Sequence, residues 1–566
     1  MSPRAARLLS VVAVVPLVVA LLPGAVTAQP RRSGIDFATP RTLREGTPEE
    51  AGLVAAHLDA MDAEILAGME PGADGNPLYP GAVVLAARDG VIAKFEAWGE
   101  SLRYADGEGT LLPASERIAM RRDTIFDLAS VSKLFTSIAV VQLVEEGLVA
   151  LDDPVAAHVP EFAANGKAEV TVLHLLTHTS GLPAWLPLYS SHPTPEARMQ
   201  AALEAAPLNP PDTVYRYSDL NLIALGELVE RVSGLPLDAF VAARITGPLG
   251  MTDTGYNPPA SERERIAATE FQPWTGRGMV HGSVHDENAW SLGGVAGHAG
   301  VFSTARDLAV LAQTIVNGGR YGSVRILSQE SVEALLTDYN AVFPGNAHGL
   351  GFELYQHWYM DAMATPHTAG HTGYTGTSLV LDPEDGSFVI LLTNRVHPSR
   401  DWGSVNAPRR AAARALARAV PVRPASGRSA WFSGLADGAE RTLTATVPGG
   451  GTLRARLWWD TEPPADTLTV EASLDGGETF APLSGTLRAP GGPTLDTDGV
   501  LRGWSGRRWY RGEFPLPGDR GDELVVRFRY ATDALYSGRG AYVDEVVVPG
   551  SGRVELVADG WVQSPD

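Results

Sequence analysis

Phe126-Asp127-Leu128-Ala129-Ser130-Val131-Ser132-Lys133-Leu134-Phe135 is the stretch on which the reading of this chain turns. Ser130 and Lys133 stand three positions apart and so share a face of a helix, where a hydroxyl and an amine can touch. The apolar run from about Val131 to Glu146, stopped by Gly147, predicts that helix. A serine at its start lies in the positive field of the helix N-terminus, with its own backbone N–H free to meet an oxyanion. In apolar surroundings the lysine is expected to lose its proton and act as the base toward the serine hydroxyl. A capping serine followed by a solvated lysine has the same spacing, so the stretch by itself leaves both readings open.

Lysine usage draws attention to the same place. Lys94, Lys133 and Lys167 are the only three lysines among 45 basic residues. Where plain positive charge suffices this chain uses arginine, and only lysine can release its proton when buried. There is no cysteine, which excludes disulfides, thiol chemistry and Cys-ligated metals. A formal net charge of −21 disfavours nucleic acid and anionic lipid as partners. Arg4 and Arg7, the apolar run Leu8 to Leu22 and the small residues Val26-Thr27-Ala28 read as an export signal over residues 1–28. An uncleaved anchor is the alternative. Nothing later is long and apolar enough to span a bilayer, so the expected location is secreted or periplasmic, without a stable membrane span.

Outward from Ser130 the chain divides by composition. Residues 29–45 read as a polar leader. Thr47-Pro48-Glu49-Glu50 reads as a helix start, followed at helical spacing by Val54, Leu58, Met61 and Ile65. Gly81 to Trp98 reads as a hairpin turning at Asp89-Gly90. Ser378 to Arg395 gives two more strands around residues 382–386, and a helix follows from about Pro408 to Val420. Strands at both ends with helices between them predict an α+β unit over residues 46–420, with one antiparallel sheet flanked by helices. Residues 421–430 read as a linker. Beyond it, Leu443 to Val447, Leu453 to Trp459, Leu468 to Leu474, Leu524 to Tyr530 and Tyr542 to Val548 are short strands, predicting an all-β sandwich over residues 431–566.

Two further clusters carry chemistry. Tyr217-Ser218-Asp219 precedes the apolar helix Leu220 to Val232, and a tyrosine beside a lysine can shuttle protons. A packed aromatic with Ser218 or Asp219 as cap is the alternative. His371-Thr372-Gly373 stands before the strand Ser378 to Leu381, where it can form a wall for an extended substrate. The N–H of Tyr374 could then join that of Ser130 in an oxyanion hole. His174/His178, His281/His285 and His367/His371 have ligand spacing but lack the accompanying Glu of a zinc helix, so no metal site is assigned. His285-Asp286-Glu287-Asn288 is a dense polar run without an assignable role.

Taken together, these motifs resemble the serine penicillin-binding proteins and β-lactamases, in particular the branch of D-Ala-D-Ala carboxypeptidases, class C β-lactamases and related esterases. The resemblance extends through Leu175-Leu176-Thr177-His178-Thr179-Ser180-Gly181-Leu182, Gly297-His298-Ala299-Gly300 and Gly370-His371-Thr372-Gly373-Tyr374-Thr375-Gly376, in the family's order. It implies Ser130 as nucleophile, Lys133 and Tyr217 as proton handlers, and Asp219, His371, Thr372, Gly373 and Tyr374 at the substrate. No cofactor is implied. The chain departs from the family where Asp219 replaces a common Asn and His371 a common Lys. The C-terminal strands resemble the jelly-roll modules of immune-inhibitor-type secreted metallopeptidases, and hold six of the twelve tryptophans. The expected function is a secreted serine hydrolase acting on a small ester, amide or peptide, an esterase or a D-Ala-type carboxypeptidase or aminopeptidase. Peptidoglycan-derived peptides are candidate substrates. A β-lactamase and a non-catalytic cell-wall polymer-binding protein are the alternatives.

Overall fold

The structure is a computed structural model that describes residues 34–566 apart from 36, 38, 552 and 553. The expected export signal and the first part of the leader lie outside the described residues. Its central element is an eight-stranded sheet. β1 is Arg44–Glu45, β2 Gly81–Arg88, β3 Val91–Leu102, β4 Glu353–Leu354, β5 Ala369–Thr372, β6 Thr377–Asp382 and β7 Ser387–Thr393. They lie in the order β1-β3-β2-β7-β6-β5-β4, with Ile118–Ala119 pairing onto β3. All described pairings are antiparallel except β1 with β3, so the expected antiparallel sheet carries one parallel edge pair. A two-residue strand far too short to show alternation is invisible to sequence periodicity.

The pleat sorts β2 into two cores. Val83, Leu85 and Ala87 face one cluster, and Ala82, Val84 and Ala86 face the other. The first cluster is completed by α2 (Ser132–Glu145) and α3 (Asp219–Ser233), the second by α1 (Ala55–Ala67) and the last helix of this unit, Asn406–Ala419. Because both faces are covered, β2, β6 and β7 are buried almost throughout rather than alternating with solvent. α1 begins later than expected. Thr47 and Glu50 exchange the reciprocal capping bonds, at 3.2 and 3.3 Å, but these close only a turn, and the helix starts at Ala55.

Beyond residue 429 the chain forms two further antiparallel sheets, of seven and six strands, which share one apolar core. All five strands expected there are present. The stretch 421–430 is tied down: the Arg423 carbonyl accepts from Trp509 Nε1 at 2.9 Å, and Ser426 N–H donates to Asp544 at 2.9 Å. These strands also grip the β6–β7 turn. Arg507 pairs with Asp382 at 2.7 Å and with Asp385 at 2.5 Å, and Asp382 is buried. All three lysines of the chain are buried, Lys94 against Asp59 and Asp62. Among the described residues no helix is long and apolar enough to cross a membrane.

Candidate active site

Ser130 is the middle residue of a 3-10 turn, Ala129–Val131, that runs directly into α2. Four hydrogen bonds brace the turn. The Asp127 carboxylate accepts the N–H groups of Ala129 at 2.9 Å and His285 at 2.6 Å. The hydroxyls of Thr375 and Thr377 donate to the carbonyls of Asp127 and Leu128 at 2.7 and 2.9 Å. Ala129 has φ of +46°, in the left-handed region, at a cost of roughly 1–2 kcal/mol for a residue with a Cβ. Such strain persists where neighbours over-determine it, and it collects at working sites.

Lys133, one turn on, is 1% exposed and fills its three N–H positions. It donates to Ser130 Oγ at 2.9 Å and to the His298 carbonyl at 3.2 Å, and it pairs with Asp219 at 2.8 Å. This overturns the expectation of a neutral amine. Burial pulls the lysine down, but the Asp219 carboxylate, with help from Tyr217, more than reverses it and raises its pKa above the ordinary value. The resting group is an ammonium. Sequence spacing showed the apolar helix around Lys133 but not the carboxylate that α3 brings to it.

Tyr217 is brought to the same point, its ring 4.8 Å from Lys133 Nζ and its hydroxyl facing Ser130 and Lys133. Burial pushes the phenol up to about 12 against the pull of the lysine charge, so it holds its proton at neutral pH. The Tyr217-Ser218-Asp219 turn is set by His178. That imidazole lies 4.6 Å from the Tyr217 ring, and its Nδ1 accepts from Ser218 N–H at 3.1 Å and from Asn221 at 3.0 Å. Ser218 occupies the cap position of α3 but directs its hydroxyl to the Pro183 carbonyl.

His371 and Thr372 end β5 rather than merely preceding a strand, and Gly373 and Tyr374 continue beside Ser130. A Cβ on Gly373 would lie 2.1 Å from Thr377 Oγ1 and 2.3 Å from the Leu128 carbonyl, so only glycine lets the strand approach the serine turn this closely. Among the described residues the N–H groups of Ser130 and Tyr374 make no protein hydrogen bond. His371 Nδ1 donates to the Thr372 carbonyl at 2.8 Å, which leaves Nε2 as a lone-pair acceptor, buried and without a partner. Burial, reinforced by the Lys133 charge, holds its pKa down at about 3, so His371 is neutral and is no substitute for a lysine cation.

Positive charge enters from residues the sequence did not single out. Ser130, Tyr217 and residues 371–374 line an open cavity of about 330 Å³ together with Glu353, Arg395, Asn406 and Arg409. Arg409, in the last helix of the unit, donates to the carbonyls of Gly373 at 2.7 Å and Thr377 at 2.9 Å. Burial lowers it to about 10, still a cation at neutral pH. Glu353 on β4 is pushed up to about 7, again by burial. Nothing local marks either residue, because one comes from a short edge strand and the other from a helix far along the chain.

The polar run at 285–288 proves to be scaffolding. Its histidine pairs with Glu270 at 2.8 Å, and Asp286 caps the short helix Glu287–Ser291 and meets His298 at 2.9 Å. Asp219, Asp286 and His298 lie close enough to hold a cation together, but the Lys133 ammonium already stands against Asp219. The three spaced histidine pairs do not converge on ligand geometry. For example, His174 meets Asp212 whereas His178 meets Asn221, and His367 meets Glu384.

A helix-borne serine hydrogen-bonded to a buried lysine, under a strand that can receive an extended ligand, places the molecule among the serine hydrolases. The chain belongs to the Beta-lactamase family, whose model matches residues 66–414. It is 35% identical over 389 residues to a protein of Escherichia coli O157:H7 described as "Putative D-alanyl-D-alanine carboxypeptidase", covering 63% of this chain and 86% of that one. A protein of Salmonella agona with the same description is 33% identical over 390 residues, with the same coverage. Among solved structures, a penicillin-binding-protein homologue from Caulobacter crescentus aligns with 64% of this chain and 97% of its own, at a TM-score of 0.49 and 24% identity.

Proposed function

We propose that this protein is an extracytoplasmic carboxypeptidase that removes a C-terminal D-amino acid from a cell-wall peptide through an acyl-enzyme on Ser130. One observation carries the choice of a peptide bearing a free carboxylate over a neutral ester. Arg395 and Arg409 line the cavity that contains Ser130, and both are cations at neutral pH. The description of the E. coli and Salmonella relatives supports the same substrate class.

In the proposed reaction Ser130 Oγ attacks the scissile carbonyl. Its proton passes to Lys133 as Lys133 releases one to Asp219, so the resting ammonium needs no prior deprotonation. The N–H groups of Ser130 and Tyr374 receive the oxyanion. The C–N bond breaks, the leaving nitrogen takes a proton from the Lys133–Tyr217 pair, and Asp219 returns its proton to Lys133. Water then hydrolyses the ester and restores Ser130. His371 and Thr372 hold the substrate backbone.

The test is intact mass and turnover with an N-acylated peptide ending in D-Ala-D-Ala, with benzylpenicillin as trap and Ser130→Ala as control. Release of D-Ala and a penicillin adduct, both lost in Ser130→Ala with an unchanged melting temperature, are expected. Cleavage of p-nitrophenyl esters with no release of D-Ala would replace the carboxypeptidase by an esterase. Neither activity would favour the binding-protein alternative.

A further inference from the structure

Polymer binding by this chain would be expected from its C-terminal strands, where half of the tryptophans lie, yet that is not where the indoles are exposed. Trp458, Trp459 and Trp561 are buried, and Trp431, Trp504 and Trp509 are half-buried. The exposed ones are Trp185 (44%), Trp274 (50%) and Trp290 (38%), all in the catalytic unit, joined by Tyr374 at 50%. A run of contacts connects them, starting at the cavity. Tyr374 lines the Ser130 cavity, and the Arg400 guanidinium stands 5.6 Å from its ring centroid and 5.2 Å from that of Trp274. Trp274 Nε1 donates to Glu287 at 3.2 Å, in the short helix that carries Trp290. From that helix Asn288 accepts from Tyr189 N–H at 3.1 Å, and the Tyr189 ring lies 6.5 Å from Trp185.

Large aromatic residues grouped in water around a catalytic cavity mark a ligand surface rather than a packing accident. These are also held ready. Arg400 is fixed by Glu270 and Glu287, Arg277 lies 4.6 Å from the Trp290 ring, and each guanidinium leaves part of its ring open to solvent. The chemistry of the rim selects its ligand. An aliphatic chain needs a continuous dry groove, whereas here aromatic faces alternate with guanidinium groups. A pyranose offers a C–H face to stack on a ring, and hydroxyl, acetamido and carboxylate oxygens to accept from arginine. Two acids beneath this surface, the buried Glu270 and Glu287, are both paired with Arg400. Arg400 and Arg277 thus offset these two carboxylates, so on a chain of net charge −21 the rim repels an anionic ligand less than the rest of the surface does.

We propose that the rim formed by Trp185, Trp274, Trp290 and Tyr374 binds the saccharide chain, built of N-acetylated and carboxylated amino sugars, from which the peptide substrate projects into the Ser130 cavity. The identity of the polymer rests on the proposed carboxypeptidase reading; the surface itself does not.

The experiment titrates full-length Ser130→Ala protein with peptide-free oligosaccharides of N-acetylglucosamine and N-acetylmuramic acid, by calorimetry and tryptophan fluorescence. Saturable binding is expected, weakened at least tenfold by Trp274→Ala or Trp290→Ala and unchanged by Leu474→Ser, an exposed position in the C-terminal strands. In the active protein, Trp274→Ala is expected to raise KM for a glycan-linked peptide without moving kcat, and to leave the free peptide unaffected. Absence of glycan binding, or binding that survives both tryptophan changes, overturns the rim. Glycan binding without release of D-Ala would leave the rim standing and remove the carboxypeptidase; release of D-Ala without glycan binding would do the reverse.

Discussion

An ammonium at Lys133 can accept the Ser130 proton only as it gives one up, and the carboxylate of Asp219, 2.8 Å away, is the group placed to take it. Replacing Asp219 by Asn separates two mechanisms. It removes the charge that holds the lysine up and leaves burial, which lowers it. If the carboxylate is the proton sink, kcat falls by about 10²-fold or more, the usual contribution of a positioned acid or base, and this is the expected result. If a neutral amine were all that was needed, kcat at neutral pH would rise. Glu353 supplies a second prediction. Its carboxyl, raised to about 7, is mostly neutral below that pH and anionic above it. A negative charge in the cavity opposes a substrate carboxylate, so KM should climb as pH rises through 7, and Glu353→Gln should flatten that climb. A pH–KM profile on both proteins checks it. Ser130 and Lys133 could be read from their spacing because both lie on one helix turn. Glu353, Arg395 and Arg409 could not, since they come from a strand, a loop and a helix far apart in sequence and meet only in the folded chain.

At the level of elements, the approach of β5 to the serine turn is set by a backbone without a side chain. Gly373→Ala would put a Cβ 2.3 Å from the Leu128 carbonyl, which cannot yield as the tip of a flexible side chain can. The strand must therefore move off, taking the N–H of Tyr374 with it. Displacements of about 1 Å can cost on the order of 10²-fold in rate. The expected outcome is that loss of kcat with little change in KM for the free peptide, read by steady-state kinetics. The hairpin, the buried α2, the two strands over 378–395 and the five expected C-terminal strands were legible because long apolar runs ended in turn residues. Strands of two residues and the false helix start at Thr47 were not, since capping chemistry closes a lone turn as readily as it begins a helix.

Across the whole molecule, the C-terminal strands meet the catalytic unit through charge at the β6–β7 turn. Arg507 stands between Asp382 and Asp385, and taking away one partner of a buried pair costs roughly 3–5 kcal/mol because the other charge is stranded. Arg507→Ala is therefore expected to split thermal unfolding into two transitions and to open residues 421–430 to protease, as calorimetry and limited digestion would show. That contact was beyond sequence reading, which found the two strand-rich regions separately and could not dock them. A last consequence concerns the lysines, all three of them buried. None of the three lysines is more than 9% exposed, although the proposed mechanism places an activated acyl ester on Ser130 in each cycle. A neighbouring copy thus offers no side-chain amine to capture that acyl group. Amine-directed labels or crosslinkers should leave the folded body untouched, making such reagents a sensitive gauge of unfolding.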